Sequence, residues 1–490
     1  MEWAKDNRKT FLIVLGLSLF LFFFRLGDRS FRNPDEGRYA QIAGQMVSGG
    51  NWLEPKLFGI DYLRKPPLFY WLIASSFRVF GKNEWAARAV PALFGVMGVL
   101  SVYFFTRKVF GARAALFSSL ILLSNPWYLH VSRYLVIDSV FSFFVTAGIF
   151  FFYLARTEQK TALLYDSGFY TCVALAFLAK GLLALVLPGF SILIYALWTG
   201  QLGRFLKESR LFLGLGIFLL ITAPWFWWMS RHKPDFWNVF FVREHLARFT
   251  SVNFEHQEGW YFYFVLLAGF LLPWVLLPGP MRLFFGGTAE NERKNPSFFA
   301  LIFALSTVAF LSLSKSKLAT YILPVIPPLG VVLGYAWARW TENAEDRLRI
   351  FYVFFIVLVL SAFPVIFIME KVNPDYSTKS FALRVLPKIK AEDAVYVYDH
   401  PGPFYDFPFY LKHAVKPVGL AGELEISRED PEAVKIAITQ ADFQKLLKEK
   451  VRFYCVMRQS DWRGIPEEAK RSLKVLAEDD RKMIFESGAA

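Results

Sequence analysis

Apolar runs of about twenty residues recur along this chain, and few folds accept them: at about 1.5 Å of rise per residue, each can cross the hydrocarbon core of a bilayer as a helix. Residues near 10–26, 86–107, 113–131, 137–155, 162–178, 181–198, 209–229, 260–280, 297–313, 318–338 and 348–369 meet that length. A soluble enzyme would not repeat such runs. Composition agrees, with 55% hydrophobic and 18% aromatic residues among 490, so the expected class is a mainly α, polytopic membrane protein with about 11–13 spans. The net charge of +14 would suit nucleic acid, but no basic arm or nucleic-acid fold signature accompanies it. The Lys and Arg residues fall mostly in short loops between apolar runs, where they orient the spans. Cys172 and Cys455 lie in a hydrophobic run and in the polar C-terminal region, which argues against a disulfide framework.

The first run, FLIVLGLSLFLFFF, leads into FFFRLGD, which is too bulky for a signal-peptide cleavage site, so it reads as an uncleaved span with its basic end in the cytoplasm. Residues 66–80, PPLFYWLIASSFRVF, are short, open with two prolines and carry Arg78; they read as a juxtamembrane or re-entrant helix. On that count the basic loops TRKVFGAR, ARTEQK, GQLGRFLKESR, MRLFFGGTAENERKNP and ARWTENAEDRLR all fall on the cytoplasmic side. The 33–67 loop, Asp138, the 230–259 loop, Lys315, Lys317 and the C-terminal region then fall outside. After Met369 the composition turns polar. VYVYDH, VKIAIT and VRFYCVM have strand character and ADFQKLLKEK has helical spacing, which predicts a small extramembrane α/β domain over 371–490 behind a membrane domain over 1–370. No internal repeat stands out, which argues against an inverted-repeat transporter.

The most informative polar stretch is NPDEGRYAQIAGQMVSGGNWLEPKLFGIDYLRKPP, residues 33–67. So many charges directly after a span mark a site candidate. Asp35 and Glu36 could hold a metal or polarise an acceptor, and Arg38 could bind a phosphate. The plainer alternative is that Asn33 or Asp35 caps a helix through GRYAQIAGQMV. Arg64 and Lys65, before two prolines, suit either phosphate binding or snorkelling to headgroups. Asp138, at the start of an apolar run, is either functional or an interfacial cap. FFVREHLARFT places His245 and Arg248 on one helical face, suited to acid–base or metal chemistry, or else to a solvated surface helix. Lys315 and Lys317, with Tyr321 beyond them, oppose the positive-inside bias and so point to an anionic partner. Together these residues suit the handling of a lipid phosphate.

In this order, PDEGRYAQIA, RKPP, GKNEWAARAVPALFG, SRYLVID, REHLARF and SKSKLATYILPVIPPLG resemble the lipid A aminoarabinose transferase family. More broadly they are similar to the protein O-mannosyltransferase-like glycosyltransferases of the C-type fold. The resemblance covers most of residues 1–340. It implies inverting transfer of one sugar from a polyprenyl (undecaprenyl) phosphate carrier to an acceptor at the periplasmic face of a bacterial inner membrane, without nucleic acid. In that family the acceptor is a lipid A phosphate and the sugar is 4-amino-4-deoxy-L-arabinose, with galacturonate in related enzymes. It further implies Asp35 and Asp138 as the catalytic acids. Arg38, Tyr39, Lys65, His245, Arg248 and Tyr321 would surround the carrier and donor phosphate; the charge pattern alone adds Arg64, Lys315 and Lys317 to the phosphate-binding candidates, and Glu36 to the site. A divalent metal on Asp35, Asp138 or His245 is left open, because Arg64 stands where some relatives carry a metal-binding acid. The competing readings are a protein or other glycan O-glycosyltransferase of the same fold and a polyprenyl-lipid flippase.

Overall fold

The computed structural model describes residues 7–247, 257–285, 295–449 and 451–488. The chain divides into two compact units, one made of residues 1–26, 64–69 and 88–365, the other of 27–63, 70–87 and 366–490. The first loop, expected as part of a membrane domain, thus packs in the same unit as the C-terminal residues.

The first unit is helical. Among the described residues, seven helices are long and apolar enough to cross a membrane: Glu84–Phe110, Asp138–Thr157, Gln159–Lys180, Leu211–His232, Pro296–Leu313, Ala319–Trp340 and Glu345–Pro364. Asn7–Phe23, Ala112–Leu123 and Leu183–Trp198 are shorter apolar helices of the same unit. Packing runs on aromatic contacts, with Phe105 stacked on Phe150 and Phe117 on Phe351, each pair 4.1 Å between ring centroids. Glu345–Pro364 and Leu211–His232 bury only a small share of their apolar windows, 11% and 22%, as a lipid-facing helix does.

Two expected spans are broken. The run 113–131 ends its first helix at Leu123 and restarts at Pro126–Ser132, because Asn125 caps the new helix through Tyr128 N and Pro126 sits at its first turn. The run 260–280 divides into Phe262–Phe270 and Pro278–Phe285, since Pro273, Pro278 and Pro280 supply no backbone N–H for a continuous ladder. Arg133 donates to the carbonyls of Leu21, Phe22 and Phe24 at 2.5–3.1 Å, which satisfies the C-terminal end of the first helix.

The second unit joins the first loop to a five-stranded sheet. A small hairpin comes first, β1 (Lys56–Leu57) with β2 (Ile60–Asp61). The sheet contains β3 (Ala394–Tyr398), β4 (Lys416–Val418), β5 (Phe453–Arg458), β6 (Leu473–Glu478) and β7 (Lys482–Ser487) in the order β4-β3-β5-β7-β6. Strands β4, β3 and β5 are parallel, while β7 runs antiparallel to both neighbours. VYVYDH and VRFYCVM form β3 and β5, and Gln440–Lys448 is the expected helix. VKIAIT is different: Asp430 accepts from Glu432 N and Pro431 takes the first turn, so Pro431–Ile436 is a helix and Ile438 alone bridges to Val418. Cys172 and Cys455 are both free and buried.

The 13-residue helix Leu68–Phe80 lies mostly in this unit. At about 1.5 Å per residue it is about 20 Å long, short of a bilayer core. Trp71 Nε1 ties it to Trp52 O at 2.6 Å.

Candidate active site

The site candidates form two groups of charge, one in each unit. In the second unit, Asp35 is the first residue of helix Asp35–Gly49, preceded by Pro34 with no side-chain cap. Asn33 is no cap either. Its amide donates to Asp406 Oδ1 at 2.5 Å and to Pro403 O at 2.8 Å, and its carbonyl accepts from Asp406 N. Asp406 is fully buried and also accepts from Ser377 Oγ and Thr378 Oγ1, each at 2.6 Å, and from Thr378 N. Burial pushes its carboxyl above the usual range even against these bonds. Gly37 allows this approach, because a Cβ there would lie 2.1 Å from Asn33 Oδ1 and 2.6 Å from Asp406 N. The residues flanking Asp35 are thus fixed by the C-terminal half of the chain.

From that anchored start, Arg38 Nη2 reaches Asp35 Oδ1 at 2.6 Å and Arg38 Nη1 reaches Glu423 Oε1 at 2.6 Å. Tyr62 OH donates to the other oxygen of Glu423 at 3.1 Å. Asp35 remains 45% exposed while Arg38 is 11% exposed, and Asp35 has no second partner among the described residues. Burial opposes the charge on Arg38, but Tyr62, Glu423, Asp35 and Tyr39 outweigh it and hold the guanidinium well above its ordinary range. Its Nε is buried without a hydrogen-bond partner among the described residues. The guanidinium also lies 5.4 Å from the Tyr39 ring centroid, and Tyr39 packs on Tyr70. Glu36 is fully buried; it accepts from Arg32 N at 2.9 Å and pairs with Arg29 at 3.4 Å, which holds the turn before the helix.

In the first unit, Asp138 begins helix Asp138–Thr157 and pairs with Lys180 Nζ at 2.5 Å, with both side chains buried. Lys180 Nζ also lies 4.0 Å from the centroid of the Tyr321 ring, a cation–π contact. Lys180 is the last residue of helix Ala162–Lys180. Arg64 Nη1 and Lys65 Nζ both bind Glu244, at 3.1 and 3.4 Å, and the Glu244 side chain is 1% exposed. The turn Asn238–Ala247 is therefore no solvated surface helix at Glu244. The side chain of His245, and Arg248, lie outside the described residues. Lys317 is buried and donates to the carbonyls of Glu258 and Ser314 at 2.9 and 2.5 Å. Burial, with Lys315 beside it, lowers its affinity for the proton; Lys315 itself is exposed.

Among the described residues no three His, Cys, Asp or Glu side chains converge as a metal site. The two acids considered for one are bridged to cations, and Arg64 adds a positive charge.

Residues 64–228 match the dolichyl-phosphate-mannose-protein mannosyltransferase family model. The chain is 33% identical over 348 residues to an undecaprenyl phosphate-α-4-amino-4-deoxy-L-arabinose arabinosyl transferase of Pseudomonas fluorescens, covering 70% of this chain and 59% of that protein. It is 33% identical over 334 residues to the enzyme of that name from Edwardsiella ictaluri, covering 66% and 59%. The chain thus spans about three fifths of the length of these relatives. The crystal structure of ArnT from Cupriavidus metallidurans bound to undecaprenyl phosphate superposes with a TM-score of 0.88 at 26% identity, over 99% of both chains. The chain resembles these membrane glycosyltransferases in sequence and in fold. An archaeal oligosaccharyltransferase from Archaeoglobus fulgidus, 13% identical with a TM-score of 0.54 over 96% of this chain and 73% of its own, shares the fold alone.

The sequence marked Asp35 and Asp138 as candidates but not the residues that pair with them. Glu423 and Asp406 lie more than three hundred residues from Arg38 and Asn33, a separation that no local pattern reports. Lys180 carried a weak signal, as a charge ending an apolar run.

Proposed function

We propose that the chain is a bacterial inner-membrane glycosyltransferase that moves 4-amino-4-deoxy-L-arabinose from undecaprenyl phosphate to a phosphate of lipid A, at the periplasmic face and with inversion. The names of the 33%-identical relatives and the full-length match to a structure bound to undecaprenyl phosphate support the donor and the sugar. The observation that carries the chemistry is the exposed Asp35 carboxylate held by a buried, permanently charged Arg38.

In this reading the bond from the anomeric carbon to the carrier phosphate breaks through an oxocarbenium-like state, and the electron pair leaves with the phosphate. An acceptor oxygen bonds from the opposite face. In the second unit Arg38, whose Nε has no hydrogen-bond partner among the described residues, and Tyr39 suit a phosphate; in the first unit Lys65, Lys315 and Tyr321 are the candidates for one. Asp35 orients an already anionic acceptor; for a hydroxyl acceptor it would be the general base. Asp138 holds Lys180 in place over Tyr321. A galacturonate donor remains the second reading of the sugar. It would be favoured by an unpaired Arg64, and Arg64 is instead bridged to Glu244.

Mass spectrometry of lipid A from cells with and without the chain tests this reading. The expected result is a mass gain of one aminoarabinose on a lipid A phosphate, absent with Asp35→Asn. A gain of one galacturonate would reassign the sugar, and no gain would remove lipid A as acceptor.

A further inference from the structure

The first unit also contains a cleft that uses none of these residues. It has a volume of about 520 Å³ and lies between helices Glu84–Phe110, Asp138–Thr157 and Ala162–Lys180. Its floor includes the stacked pair Phe105 and Phe150, both 3% exposed. Its walls include Phe104, half exposed, and Phe151, which stacks on Tyr165 at 6.2 Å. At one end, in the last turn of helix Glu84–Phe110, Arg107 and Lys108 line it.

The charge at that end is unbalanced. Lys108 pairs with Glu158 at 3.4 Å, but both side chains are more than two-fifths exposed, so the pair is weak and exchangeable. The other nearby acid, Asp166, is fully buried and already bridged to Arg156 at 2.9 Å and to Arg210. Arg107 has no ion-pair partner among the described residues. Both cations lie at this helix end within the stretch TRKVFGAR, which the charge bias assigns to the cytoplasmic side.

An aromatic trough open to the side with a guanidinium and an ammonium at one end has the polarity of one molecule class. We propose that this cleft binds an anionic phospholipid, with an acyl chain lying along Phe104, Phe151 and Tyr165 and its phosphate between Arg107 and Lys108. A zwitterionic lipid gains less, because its own cation competes for the same phosphate. This inference stands apart from the transfer reaction and survives if that reading fails.

The test is native mass spectrometry of the full chain in detergent, titrated with phosphatidylglycerol, phosphatidylcholine or inorganic phosphate. Arg107→Ala with Lys108→Ala is expected to weaken phosphatidylglycerol binding by about fivefold or more and to leave phosphatidylcholine binding unchanged. Lys160→Ala, which removes an exposed cation close in sequence to Glu158, should change neither. Arg107→Gln alone serves if the double variant melts earlier than wild type, and should retain part of the effect. Phosphatidylglycerol binding that is untouched by these substitutions, or lost equally with phosphatidylcholine, overturns the proposal. Displacement by inorganic phosphate overturns it as well, since it would make the site one for a bare anion.

Discussion

Asp35 and Asp138 each open a helix and each bridge a cation, but one bridge faces solvent and the other does not. Asp35 is 45% exposed beside Arg38, whereas Asp138 and Lys180 are 7% and 6% exposed. A pair with one partner in solvent contributes about 0–1 kcal/mol, and Glu423 still holds Arg38, so the Asp35 carboxylate can turn to a substrate at little cost. Opening a buried pair leaves an uncompensated charge and costs about 3–5 kcal/mol. The same residue types therefore suit different tasks: in the proposed reading Asp35 meets the substrate, while Asp138 holds Lys180 in place.

The sharpest way to break this comparison is Asp35→Asn. Turnover is expected to fall by about 10²–10⁴-fold with the melting temperature nearly unchanged; an equal loss of fold would make Asp35 structural. Asp138→Asn should behave in the opposite way, destabilising by about 3–5 kcal/mol in thermal melting. Joint Asp138→Leu and Lys180→Met should recover most of that stability. Turnover in the recovered protein then decides whether the pair also acts chemically.

Smaller effects sharpen the account of how Asp35 is held. Asp406→Ala leaves the Asn33, Ser377 and Thr378 donors unpaired and should cost about 2–3 kcal/mol in denaturant melting. It should lower kcat with little change in KM. Glu244→Gln releases Arg64 and Lys65, each still 15–18% exposed; a cost of about 1–2 kcal/mol and a changed KM for the lipid carrier are expected. Glu423→Gln leaves Arg38 paired with Asp35, so the loss should be about 1 kcal/mol or less, read as a several-fold rise in KM at constant kcat.

Much of this was legible in the sequence, and the exceptions have physical causes. Helix positions followed apolar run length except where Asn125-Pro126 and Pro273 interrupted the backbone ladder. Asp35, Arg38 and Asp138 were visible because charges beside apolar runs are costly without a use. Their partners were not. Glu423, Asp406 and Glu244 meet their cations or donors only through tertiary folding, and β6 and β7 alternate too weakly to stand out from loop. The anchoring of Asn33 by Asp406 also means that removing residues 375–490 would release the first loop, so such a deletion cannot separate a catalytic loop from a binding domain.

The central claim is that Asp35, held by Arg38, serves the transfer of a sugar from a polyprenyl phosphate. Its most direct test is single-turnover transfer by the purified full chain, using undecaprenyl phosphate-aminoarabinose and lipid A, with wild type, Asp35→Asn and Asp138→Leu/Lys180→Met compared at matched thermal stability. The account predicts inverted product from wild type and a loss of at least about 10²-fold with Asp35→Asn while donor binding is retained. Wild-type-like turnover by Asp35→Asn would contradict it and move the reacting groups to the buried pair or elsewhere.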